Sequence, residues 1–96
     1  MFQAKQALFA VAISSLLAFS FSALGQTSSA DLVASALDHG DRPSGDAADD
    51  ARRMPLEVLA FAGIEAGVTI LELEAGTGYY TEILSRTVGP NGNVIM

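Results

Sequence analysis

A chain of 96 residues with eleven acidic against five basic side chains and no cysteine excludes several classes of protein at once. An acidic surface repels nucleic acid and anionic membranes. Without cysteine there is no disulfide frame, no thiolate zinc site and no lipid-modified cysteine anchor.

The first 25 residues read differently from the rest. Met1 to Gln6 is short and carries Lys5, and Ala7 to Leu24 is apolar apart from four serines. Ala23-Leu24-Gly25 then offers the small residues that a signal peptidase inspects. Residues 1–25 are therefore expected to be a secretory signal peptide, which makes the product secreted or periplasmic. The stretch approaches the length of about 20 residues that spans a bilayer, so an uncleaved leader would be the expected membrane attachment. Removing the leader leaves four arginines against eleven acids, a net charge of −7.

Residues 26–53 are expected to hold a short helix and an acidic linker. Ser28 or Ser29 can cap a helix from Ala30 to about Asp38, whose apolar residues Leu32, Val33, Ala36 and Leu37 fall at helical spacing. Asp38 to Asp50 is rich in turn formers and acids and reads as a loop. His39 lies among those acids, but carboxylates at 38, 41, 46, 49 and 50 miss the alternating spacing of a calcium loop. A solvated loop is expected there, with no metal.

From about Met54 a continuous helix is expected, because Pro55 is tolerated only near a helix start, and Gly63 sits where it would stop. Asp49 to Arg53 would form a separate turn. Val68-Thr69-Ile70-Leu71-Glu72-Leu73 reads as a strand covered on both faces, since four of its six residues are large aliphatics. A helix should follow from Tyr79 to Val88, with Ile83, Leu84, Thr87 and Val88 toward the sheet and a Glu82–Arg86 pair outside. Gly89-Pro90-Asn91-Gly92 ends it, and Val94-Ile95-Met96 begins a second strand. That strand reads as one in mid-course, so the 96 residues are expected to be the N-terminal piece of a longer protein. Strand, helix and strand make a βαβ unit, with parallel strands and a right-handed crossover.

Ligands of such open sheets bind at the carboxyl ends of the strands, and here that is Glu74 to Gly78. The turn lacks the third glycine of a dinucleotide fingerprint, because Thr81 stands at the sixth position counted from Gly76. It also lacks the lysine of a phosphate-cradling loop. Glu72 and Glu74 bracket the start of the turn, where a pyrophosphate would meet two carboxylates. A ligand carrying positive charge is favoured, and S-adenosylmethionine carries a sulfonium and an ammonium beside one carboxylate.

Ile70-Leu71-Glu72-Leu73-Glu74-Ala75-Gly76-Thr77-Gly78 resembles the first motif of class I S-adenosylmethionine-dependent methyltransferases. Asp50 to Ile64, the turn from Gly76 to Leu84, and Val88-Gly89-Pro90-Asn91-Gly92 together resemble the exported predicted methyltransferases of bacteria, over residues 49–96. The turn alone is also similar to that of protein isoaspartate methyltransferases. One departure is Glu74, where many class I enzymes carry glycine.

The resemblance implies an α/β fold, the N-terminal βαβ portion of a doubly wound, Rossmann-like domain starting at residue 54. It implies that Glu72 organises the turn and meets the methionine end of the cofactor, with the turn amides as partners for its carboxylate. Cofactor contacts are expected from Glu72, Glu74, Ala75, Gly76, Thr77, Gly78 and Tyr79. The whole protein is then expected to transfer a methyl group in line to an acceptor, mainly by positioning the two partners. A ribose-binding acid after the second strand and the acceptor site are implied but lie outside these residues. No catalytic residue is assigned, Glu82 reads as a helix-face charge, and the 96 residues alone are expected to fold weakly and to be inactive. Two other readings remain: a nucleotide-dependent oxidoreductase, and a non-catalytic exported binding protein.

Overall fold

A computed structural model describes residues 27–96. The expected leader lies outside the described residues, and among those described no helix is long and apolar enough to cross a membrane.

Helix α1, Ser29–Leu37, starts where the sequence offers a cap. The Ser28 hydroxyl accepts from the Asp31 N–H at 3.2 Å, and the Asp31 carboxylate complements the helix dipole. Val33 and Ala36 form the buried stripe of α1.

The acidic stretch is not wholly a loop. Asp46–Arg53 forms helix α2, in which Asp46 and Asp49 occupy the first turn and Arg52 and Arg53 the last. Opposite charges therefore sit at the dipole ends they favour, which lets a segment with no buried residue stay helical. Composition alone hides this, because aspartate is a turn former as well as a helix-start residue. Met54 then adopts a left-handed conformation, φ 50°, which ends α2, and its N–H donates to the Asp50 carbonyl. Helix α3, Pro55–Ala62, begins one residue later than expected, with proline in its first turn. Gly63 closes it at φ 70°, and its N–H donates to the carbonyls of Ala60 and Leu59.

Strands β1, Thr69–Leu71, and β2, Asn93–Ile95, pair in parallel with Ile70 opposite Val94. Helix α4, Tyr79–Val88, connects them and carries the expected buried positions Ile83, Leu84, Thr87 and Val88. The Glu82–Arg86 pair forms at 2.6 Å. In the connection back to β2, a methyl group placed on Gly92 would stand 2.5 Å from Val88 Cβ and 2.7 Å from the Val68 carbonyl oxygen. Only glycine lets the end of α4 lie this close to the start of β1.

The core is Val33, Ala36, Leu59, Tyr79, Ile83 and Leu84, with Ile70 and Val94 of the sheet packed against it. Helix α1 contacts both α3 and α4. The expectation of a strand covered on both faces is not met within residues 27–96: Leu71 is 65% exposed, Leu73 79% and Ile95 52%. The alternation along each strand turns Ile70 and Val94 inward and Leu71 and Ile95 outward, and the core described above lies on the inward side. β1 is also shorter than the expected Val68–Leu73, and β2 starts one residue earlier than expected, although ladder bonds continue past them, from Asn93 N–H to the Val68 carbonyl and from Glu72 N–H to the Ile95 carbonyl.

Candidate functional site

Beyond β1 the backbone turns sharply, with positive φ at three alternate residues: Glu74 at 57°, Gly76 at 60° and Gly78 at 92°. Glycine enters this region at no steric cost, whereas a residue with a Cβ is disfavoured by roughly 1–2 kcal/mol. Glu74 is therefore held in a conformation that glycine would adopt more readily, at the position where the sequence departs from the resembled motif.

Gly78 is the residue before α4, and no side chain caps that helix. Its N–H donates to the Ala75 carbonyl and its carbonyl accepts from Glu82, which closes the turn on itself. The N–H groups of Tyr79, Tyr80 and Thr81 in the first turn have no partner one helical turn back. They point out of the positive end of α4 beside the acids of the turn.

A cleft of about 460 Å³ opens over this turn. That is within the roughly 300–1,000 Å³ typical of small-molecule sites. Its wall includes Glu72, Glu74, Ala75, Gly76, Thr77 and Tyr79, six of the seven residues expected to contact a cofactor, whereas Gly78 is not on it. Leu59, Ile64, Ile70 and Leu84 supply an apolar floor and Arg53 a cation. No group of three or more potential metal-ligating side chains occurs among the described residues. His39 lies far from this chemistry in role, its Nδ1 accepting from the Asp41 N–H in the exposed loop.

The carboxylate of Glu72 is held otherwise than expected. It accepts from the Thr81 hydroxyl at 2.5 Å rather than from amides of the turn. The reason lies in the backbone: Glu72 N–H still pairs with β2, so its side chain projects across toward the first turn of α4, and the Gly78 amide is already taken by Ala75. One carboxylate oxygen bound to a hydroxyl leaves the other free to accept from a ligand.

The second polar cluster was not foreseen. Arg42, from the loop after α1, grips Asp50 of α2 with two nitrogens, each 2.8 Å from a carboxylate oxygen, and also donates to the Leu37 carbonyl at 3.0 Å. The Tyr79 hydroxyl donates to the same Asp50 at 2.6 Å. Only 5% of the Arg42 side chain is exposed, against 28% for Asp50. The hydrogen bond from Arg42 holds the Asp50 carboxyl below its ordinary pKa, and the same bond raises that of Arg42. Burial, reinforced by the bond to Asp50, pushes the Tyr79 phenol well up. Tyr79 stacks edge-on against Tyr80, with ring centroids 5.0 Å apart, and the Tyr80 hydroxyl donates to the Arg53 carbonyl at 3.3 Å. The acidic loop is thereby tied to the first residue after the glycine turn. Spacing gave no signal of this, because Arg42 and Asp50 are eight residues apart and Tyr79 a further 29.

No known protein family, curated protein or solved structure matches the chain.

Proposed function

We propose that the chain supplies the first cofactor-binding motif of an exported S-adenosylmethionine-dependent methyltransferase with a doubly wound α/β fold. The observation that carries the proposal is the cleft wall: two carboxylates, Glu72 and Glu74, flank a glycine turn that opens into an uncapped helix. A small cationic ligand with hydrogen-bond acceptors fits that set of groups, whereas a pyrophosphate would face both carboxylates.

When bound, S-adenosylmethionine supplies an electrophilic methyl group on its sulfonium. The chain's own part is to hold and orient. Glu72, fixed by Thr81, offers a carboxylate oxygen to the ammonium end. Gly76 and Gly78 let the main chain come close, and the first-turn amides of α4 offer donors. Tyr79, the first residue of that helix, is tied to Asp50, which holds the start of α4 in place at the cleft wall. Positioning of this kind is the main contribution a protein makes to an in-line displacement.

Calorimetric titration of the intact protein with S-adenosylmethionine and with NADH tests the reading. S-adenosylmethionine is expected to bind, and the Glu72→Gln variant to bind it about tenfold more weakly, the loss of one charge-assisted contact. Binding of NADH with no response to S-adenosylmethionine would replace this reading by a nucleotide-dependent oxidoreductase.

A further inference from the structure

The cleft has two carboxylates on its wall and, among the described residues, a single basic side chain, Arg53. The main chain of Arg53 is fixed, because its carbonyl accepts from the Tyr80 hydroxyl. Its guanidinium carbon lies 4.4 Å from the centre of the Tyr79 ring. That ring is itself fixed by Asp50, so the cation rests on a rigid platform.

Yet the guanidinium is under-used. Its nearest acid, Asp49, is 4.0 Å from Nε, beyond hydrogen-bond distance, and Nε is buried without an acceptor. No other side-chain or backbone acceptor within the described residues takes its donors, although the side chain is 36% exposed and reaches the cleft. A planar fork of donors, held in place by a cation–π contact and a long ion pair but without a hydrogen-bonded acceptor, matches a carboxylate or a phosphate, and the two carboxylates of the cleft disfavour the more highly charged phosphate.

Resting on the proposed function, we infer that Arg53 recognises the carboxylate of the methionine end of S-adenosylmethionine. An electrostatic difficulty exists at the same site. Glu72 and Glu74 attract the ammonium of that end but repel the carboxylate on the same carbon. A cation facing them from the last turn of α2 removes the repulsion, so that both charges of the amino acid moiety find opposite partners. Arg53 is then a specificity residue: it selects the amino acid form of the ligand over forms that lack the carboxylate.

The test compares two probes that differ only in that group, S-adenosylmethionine and its decarboxylated analogue, titrated against the intact protein at low salt. The turn acids alone would favour the analogue, which carries one more net positive charge. With Arg53 in the assigned role the wild-type protein prefers S-adenosylmethionine by roughly tenfold or more, and Arg53→Gln loses or inverts that preference while binding the analogue at least as well as the wild type does. Arg53→Lys keeps the charge but not the fork and retains a reduced preference. Equal affinity of the wild-type protein for the two probes, or a preference for the analogue, overturns the assignment, as does an unchanged preference in Arg53→Gln. If Arg53→Gln does not fold, Arg53→Lys decides: a reduced preference supports the role and an unchanged one overturns it. Failure of both probes to bind the wild-type protein is a separate outcome, which overturns the methyltransferase reading and this inference with it.

Discussion

Two polar regions meet at Tyr79, and they treat their polar groups in opposite ways. In the cluster of Arg42, Asp50 and Tyr79 the groups use one another: both carboxylate oxygens of Asp50 are bonded, and Arg42 meets them with two nitrogens. In the turn from Glu72 to Gly78 the backbone sits in the left-handed region at three residues, Glu74 bonds to nothing among the described residues, and the helix that follows is uncapped. A cluster whose groups are internally bonded has little left to offer a ligand and serves as scaffold. A turn that keeps donors and a carboxylate free, at a cost in local stability, is where binding has something to add.

The largest effect is expected from removing the scaffold. Asp50→Ala would leave the Arg42 guanidinium buried without its counter-charge, and a loss of about 3 kcal/mol is expected by urea denaturation. A loss below about 1 kcal/mol would mean that the cluster is not a scaffold at all. The same contribution carries a pH signature. Because the folded-state pKa of Asp50 is depressed, its stabilisation is present above the ordinary carboxylate pKa of about 3.9 and is lost as pH falls through the lower, folded value. The stability gap between the wild-type protein and Asp50→Asn should therefore be wide at neutral pH and shrink in strong acid.

Gly92→Ala tests the frame from another side. The added methyl group meets Val88 and the Val68 carbonyl within 2.7 Å, so the end of α4 must move away from β1, and a cost of about 2 kcal/mol is expected in the same denaturation measurement. Little change would show that this junction yields easily.

Substitutions in the turn should be milder for stability and harsher for binding. Thr81→Val removes the hydroxyl that holds Glu72, and a stability loss of about 1 kcal/mol is expected together with weaker binding of S-adenosylmethionine by calorimetry. Glu74→Gly should have the smallest effect on stability. It relieves a left-handed residue by roughly 1–2 kcal/mol and adds about 0.5–1 kcal/mol of chain entropy to the unfolded state, for a net gain between about 0 and 1.5 kcal/mol. A clear loss would mean that the Glu74 side chain has a structural partner of its own.

The features legible in the sequence are local. The Ser28 cap, the stop at Gly63, the start of a helix close to Pro55 and the helix from Tyr79 to Val88 all follow from backbone preferences of a few neighbouring residues, and each is where such preferences put it. The turn residues that line the cleft were legible for the same reason: strand ending, glycine spacing and helix onset are all read within ten residues. Tertiary structure decided what depends on distant partners. The parallel register of β1 on β2 came from their pairing, and within residues 27–96 the inward side of Ile70 and Val94 from the helices packed there. Glu72 found Thr81 instead of the turn amides because the strand ladder fixed its direction. The acidic stretch became helix α2, and Asp50 came to face both Arg42 and Tyr79. A charged side chain carries no mark in the sequence of the partner it will meet. That choice is made by desolvation and geometry once the helices have packed.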